Sequence, residues 1–164
     1  MLKKLLGNLK RNRKFFMLYS PLNGKIVQLL DVDDEVFSSG MLGKGIAFEP
    51  KDGRLMSPCS GVIGHVFETK HAINIISDFG CEILLHIGLD TVKLKGKGFD
   101  TRVKEGDRIN KGDLLCVFDM EIIKNAGLST ITPMVITNSD DYTKIDARPV
   151  CDIHAGDSVL KIEK

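Results

Sequence analysis

The sequence predicts an all-β protein, an antiparallel sandwich or barrel with short helical turns. Three observations carry that expectation. Short β-branched and apolar runs recur along the chain, each bounded by Gly, Asp or Asn. Sixteen glycines, few aromatics and no tryptophan suit tight turns better than a helical bundle. At 164 residues and 43% hydrophobic content, one domain can bury a core without disulfides or metal.

Taken in order, residues 1–16 stand apart by charge. Lys3, Lys4, Lys10, Arg11, Arg13 and Lys14 meet no acid there, giving +6, so the other 17 basic and 22 acidic residues sum to −5. Leu2, Leu5, Leu6 and Leu9 recur at helical spacing, the pattern of an amphipathic segment that lies on an anionic membrane surface. A solvated terminus, or a helix docked on its own domain, fits the same residues. Residues 17–164 are expected to form the folded domain. Asn23-Gly24 marks a turn ahead of a β-branched run, and GIAFEP (45–50) reads as a strand closed by the turn Lys51-Asp52-Gly53. Further strands are expected at 61–67, 71–77, 81–88, 114–120 and 132–138, with a single short helix at 121–127.

The stretch VKEGDRINKGDLLCVF (103–118) carries two Gly-Asp turns beside apolar residues. It resembles the turn region of barrel-sandwich hybrid domains, the group that includes lipoyl and biotinyl carriers. The Met-Lys-Met tip of those carriers is absent, so the likeness concerns architecture and not that cofactor. Cys59, Cys81, Cys116 and Cys151 are scattered without a CxxC pair, which favours a reducing compartment. No apolar run has bilayer length and no signal-peptide core is present, so a cytoplasmic location is expected. The acidic body argues against nucleic acid as a partner.

Four histidines are candidates for chemistry. His65 and His154 read as surface or core-edge residues. His71 and His86 lie in neighbouring strands joined through Ser77-Asp78-Phe79-Gly80. With all four residues in the loop, paired numbers sum to 157 and the two histidines stand opposite each other, Cβ atoms ~4.5–5.5 Å apart. A three-residue loop changes the sum to 158 and sends them to opposite faces. If Ile83, Leu85 and Ile87 face the core, His86 faces outward beside Leu84. Paired outward histidines have three readings: a metal site such as zinc, a nucleophile with an orienting partner, and cross-strand coincidence. No HExxH, GxSxG, Walker loop or GxGxxG signature favours another chemistry, although Asp34 or Asp90 offers a third metal ligand.

FETKHAINI (67–75) and CEILLHIGLDTVKLKGKGF (81–99) closely resemble the signature region of the glucose-family IIA component of the bacterial phosphoenolpyruvate–sugar phosphotransferase system. The likeness extends through 31–50, 57–67, 105–113 and 132–140. It implies that His86 accepts a phosphoryl group, that His71 is its partner and that Thr69 hydrogen-bonds the His71 ring. It further implies that Asp34 and Asp90 meet basic residues of partners, and that Phe37, Phe67 and Leu84 belong to an apolar surround. Many members carry an aromatic residue at the position of Leu84. The implied donor is the small histidine phosphocarrier HPr, and the implied acceptor is a cysteine on the IIB domain of a IIB/IIC sugar permease. Regulatory protein targets, peripheral contact of residues 1–16 with the inner face of the membrane, and zinc at the histidine pair complete the expectations; no cofactor is required for transfer.

Overall fold

The computed structural model describes residues 14–164. The amphipathic segment expected at 1–16 therefore lies mostly outside the described residues. Its last two, Phe15 and Phe16, already belong to strand β1 (Phe15–Tyr19). Strands β2 (Gly24–Val27), β3 (Lys44–Pro50), β4 (Arg54–Met56), β5 (Gly61–Val66), β6 (Ala72–Ser77) and β7 (Glu82–His86) follow. The chain continues through β8 (Phe99–Thr101), β9 (Arg108–Ile109), β10 (Leu114–Phe118) and β11 (Thr132–Ile136). It ends in β12 (Lys144–Ala147), β13 (Asp152–Ile153) and β14 (Ser158–Glu163).

All pairings among the described residues are antiparallel. The main sheet has the order β13-β2-β3-β11-β7-β6-β5-β9, and two three-stranded sheets, β1-β14-β12 and β4-β10-β8, lie apart from it. Alternation along the central strands divides their side chains between two apolar layers. Ile46, Phe48, Ile73, Ile75, Ile83, Leu85, Met134 and Ile136 face inward, against Leu18, Leu115, Phe118, Leu160 and Ile162 from the smaller sheets. Ala47, Ala72, Leu84 and Val135, on the other face, join Val32, Phe37 and Leu89 in a second, smaller layer. The expected sandwich is present, and its central strands are buried on both sides.

Among the described residues, two α-helices flank the sheets. The one expected at 121–127 runs Met120–Asn125, started by the Asp119 carboxylate, which accepts from the Glu121 and Ile122 amides. The other, Glu35–Ser38, is a single turn capped by Asp34. It was not anticipated, because four residues are too few to show a helical period.

The β6–β7 register differs from the four-residue loop expected. Ala72 pairs with His86 and Ile76 with Glu82, so paired numbers sum to 158. Ser77 N–H donates to the Cys81 carbonyl, leaving Asp78, Phe79 and Gly80 as the loop, and Gly80 supplies the left-handed residue (φ 89°) that closes it. His71 is therefore not the residue directly opposite His86.

Candidate functional site

The two histidines nevertheless meet. Their ring centroids are 4.9 Å apart, edge to face. Parity governs side chains only inside a regular strand. His71 stands just before β6, after Lys70, whose left-handed φ of 58° turns the chain. Its carbonyl still holds the end of the ladder by accepting from Ile87 N–H at 2.7 Å, while its ring lies beside His86. A row of four rings results, which His65 extends on the surface, 5.1 Å from Phe67. Phe37 lies 5.0 Å from His86, His86 4.9 Å from His71, and His71 5.7 Å from Phe67.

Each imidazole is oriented through Nδ1. The His86 Nδ1 lies 2.7 Å from the Gly88 carbonyl oxygen. A carbonyl only accepts, so Nδ1 holds the proton and the neutral ring keeps its lone pair on Nε2. The His71 Nδ1 lies 2.7 Å from the Thr69 hydroxyl. Burial lowers the pKa of His86, against the Gly88 hydrogen bond and the charges of Asp34 and Asp90, which raise it. The His71 pKa is pushed down to about 4, first by burial and then by His86, while a hydrogen bond to the Thr69 backbone opposes the shift. Both rings are neutral at pH 7.

Gly88 went unrecognised in the sequence, although it fixes the His86 tautomer. Its φ is 73°, and a Cβ there would lie 2.5 Å from Thr91 Cγ2 and 2.8 Å from the Ser129 carbonyl oxygen. Any other residue would be strained and crowded. The buried Thr91 hydroxyl secures this corner by donating to the Ile87 carbonyl. A glycine two residues after the histidine was the available signal.

The expected rim residues fall into two groups. Phe37 and Leu84 are buried in the second apolar layer and form the floor, with Phe67 packed partly buried against it. Leucine at position 84 thus fills the layer without an aromatic ring. Exposed apolar surface is carried instead by Val36, Met41 and Val92, on the turns that hold Asp34 and Asp90. Asp34 Oδ1 accepts the Val36 amide at 3.0 Å, so this carboxylate is both helix cap and rim charge. Asp90 adopts a left-handed φ of 57° and lies 3.9 Å from Lys93 Nζ.

His65 and His154, expected at the surface or core edge, are exposed, and each faces a carboxylate, Glu105 at 3.3 Å and Asp157 at 3.8 Å. Among the described residues, no three His, Cys, Asp or Glu side chains gather as a metal group. The histidine pair alone falls short of the three protein ligands that a catalytic zinc takes. No helix among the described residues is long and apolar enough to cross a membrane.

Comparison with known proteins bears on this arrangement. Residues 16–142 match the family described as phosphoenolpyruvate-dependent sugar phosphotransferase system, EIIA 1. The glucose-specific EIIA component of Halalkalibacterium halodurans is 44% identical over 144 residues, covering 88% of this chain and 83% of the relative. The beta-glucoside-specific EIIBCA component of Bacillus subtilis is 45% identical over 146 residues; this chain spans only 24% of its length. Glucose permease IIA from Mycoplasma capricolum has the same fold, with a TM-score of 0.84, 36% identity, and coverage of 90% of this chain and 96% of that one. The chain belongs to the EIIA 1 family of the phosphoenolpyruvate-dependent sugar phosphotransferase system, and its part in that system is that of a phosphocarrier in sugar uptake.

Proposed function

We propose that the phosphoryl group is carried on Nε2 of His86, received from HPr and passed to a IIB cysteine of a sugar permease. The observation that carries this reading is the Gly88 carbonyl at His86 Nδ1, which leaves Nε2 as the free nucleophilic nitrogen. In the first half-reaction the Nε2 lone pair forms the new N–P bond as the donor's N–P bond breaks. No proton has to move, because His86 is already neutral and its Nδ1–H stays on Gly88 while positive charge develops on the ring. In the second, a IIB thiolate attacks phosphorus, and the N–P electrons return to the imidazole. Transfer through a loose, in-line transition state asks chiefly for positioning and charge stabilisation.

His71 is assigned the stabilising role. In the tautomer that accepts the Thr69 hydroxyl proton at Nδ1, the His71 proton sits on Nε2 and is available to a phosphoryl oxygen on its neighbour. A neutral donor binds the phosphate less tightly than a cation would, which suits a group that must leave again. The apolar floor of Phe37 and Leu84 limits attack by water.

No resident cofactor enters this scheme. Zinc would need at least one ligand from a docked partner, and chelator treatment is expected to leave phosphate uptake unchanged. Regulatory partners reading the phosphorylation state, and membrane contact through residues 1–16, belong to the same proposal without entering the chemistry.

Incubation with phosphoenolpyruvate, enzyme I and HPr tests the assignment. Acid-labile, base-stable phosphate is expected on the wild type and absent from His86→Gln. His71→Gln is expected to accept phosphate yet deliver it to IIB at least about tenfold more slowly, the range for loss of one transition-state hydrogen bond. Labelling of His86→Gln, or undiminished delivery by His71→Gln, would refute the corresponding role.

A further inference from the structure

The ring row joins two surfaces of opposite charge. At the Phe37 end, residues 29–38 carry Asp31, Asp33, Asp34 and Glu35 with no basic residue. At the other end, Phe67 leads into the loop that bears Thr69 and Lys70. The 91–97 turn packs beside it: a methyl group at Gly96 would lie 4.0 Å from the Thr69 carbonyl oxygen. That turn adds Lys93, Lys95 and Lys97, all exposed like Lys70. Glu68 and Asp90 are the acids of these two segments, so four lysines stand against two carboxylates.

Lys93 lies 3.9 Å from Asp90; Lys70, Lys95 and Lys97 form no ion pair among the described residues. Among the described residues, Lys70 and Lys95 are two of the three non-glycine residues with positive φ, at 58° and 54°. Their place in the turns is set by local backbone hydrogen bonds, Lys70 N–H to the Phe67 carbonyl and Lys95 N–H to the Val92 carbonyl. Four like charges converging beside the histidine pair on a net acidic body repel one another, and no internal carboxylate relieves Lys70, Lys95 or Lys97.

We propose that Lys70, Lys93, Lys95 and Lys97 form a basic docking lip for an acidic flank on the protein partner that exchanges phosphate with this site. This deepens the reading of His86 as the phosphoryl carrier and rests on it. The partner's contact face is then dipolar, basic over Asp31–Glu35 and acidic over the lysines. Such a two-signed rim sets rotational register and accelerates encounter more than it adds affinity. An anionic bilayer seated on the lip would cover the histidines and block exchange, so a protein partner fits the geometry better.

The test titrates purified HPr and purified IIB separately into three proteins at ~0.05 M and ~0.3 M salt, which lengthens and shortens the screening distance. The proteins are the wild type, a Lys93→Glu/Lys95→Glu/Lys97→Glu variant, and a control of equal charge change, Lys25→Glu/Lys51→Glu/Lys164→Glu. The expected result is a loss of about tenfold or more in affinity for at least one partner at low salt in the first variant. The deficit shrinks at high salt, and the control stays within about twofold. Transfer rates at saturating partner remain at the wild-type level. Unchanged affinity for both partners overturns the proposal, as does an equal loss in the control. So does a result in which the lip variant loses only binding to phosphatidylglycerol vesicles, which would assign the lysines to a membrane. Wild-type phosphate uptake is scored separately, so failure of the His86 assignment is distinguishable from failure of the lip.

Discussion

The Asp34 carboxylate accepts the Val36 amide through Oδ1, and the same charge favours the protonated form of His86. A cap and an electrostatic neighbour can be separated by substitution. Asp34→Asn keeps a capping oxygen and removes the charge, whereas Asp34→Ala removes both. Asparagine caps about as well as aspartate, while alanine costs about 1 kcal/mol. Asp34→Asn is therefore expected to melt within a degree or two of wild type but to move the His86 titration to lower pH. Asp34→Ala should show the same titration shift and a lower melting temperature. Proton NMR of the imidazole and thermal unfolding measure the two effects. A His86 titration unmoved by Asp34→Asn would reduce this residue to a cap. Asp90 offers no such contrast, because it makes no side-chain cap bond at its turn.

At the scale of elements, the site depends on how closely β3 approaches β11. Gly45 pairs with Val135, and a Cβ there would stand 2.1 Å from the Met134 carbonyl oxygen and 2.7 Å from Val135 Cα. Neither contact is with a flexible side-chain end, so the strands would have to separate. Gly45→Ala is expected to destabilise by about 1–3 kcal/mol, the usual cost of overpacking, and to loosen the layer containing Val135, Leu84 and Phe37. Urea unfolding gives the first quantity, and the Phe37–His86 ring contact can be followed by NMR. A variant of wild-type stability would mean that the sheet yields there at little cost. Strands β3, β5, β6, β7, β10 and β11 were legible because alternation and turn residues are local signals. The register was not, because one loop residue more or less leaves the same hydrophobic pattern in both strands. Strand parity does not govern His71, which stands one residue outside β6. The histidines met despite the register, through a turn at Lys70 that composition did not announce. Gly88 could be marked only as a glycine two residues after His86, because its role lies in a carbonyl, and every residue has one.

Across the whole molecule, the eight-stranded sheet separates a large inner core from the small outer layer under the site. His71 is buried at the edge of this structure, and folding holds its pKa at about 4, below the ordinary histidine value of about 6.5. Global stability is therefore linked to its protonation. Between pH 6.5 and 4 the unfolded chain binds a proton at this position that the folded chain refuses, so stability rises with pH across the interval. The contribution is fully present above about 6.5 and is lost as pH falls through 4. Its size is on the order of 3 kcal/mol, at 1.36 kcal/mol for each pKa unit. Asp and Glu side chains also titrate near the lower end, and comparison with a variant isolates the histidine. His71→Gln removes the titrating group, and its stability should fall less steeply from pH 6.5 to 4 than that of the wild type. Denaturant unfolding at half-unit pH steps gives both curves, whose separation should narrow toward pH 4 if the variant is the less stable protein at pH 7. Parallel curves would show that His71 is protonated about as readily in the folded protein as in the unfolded chain. His71 would then be an imidazolium over much of this range, holding a phosphoryl group on His86 through a charge instead of a neutral hydrogen bond.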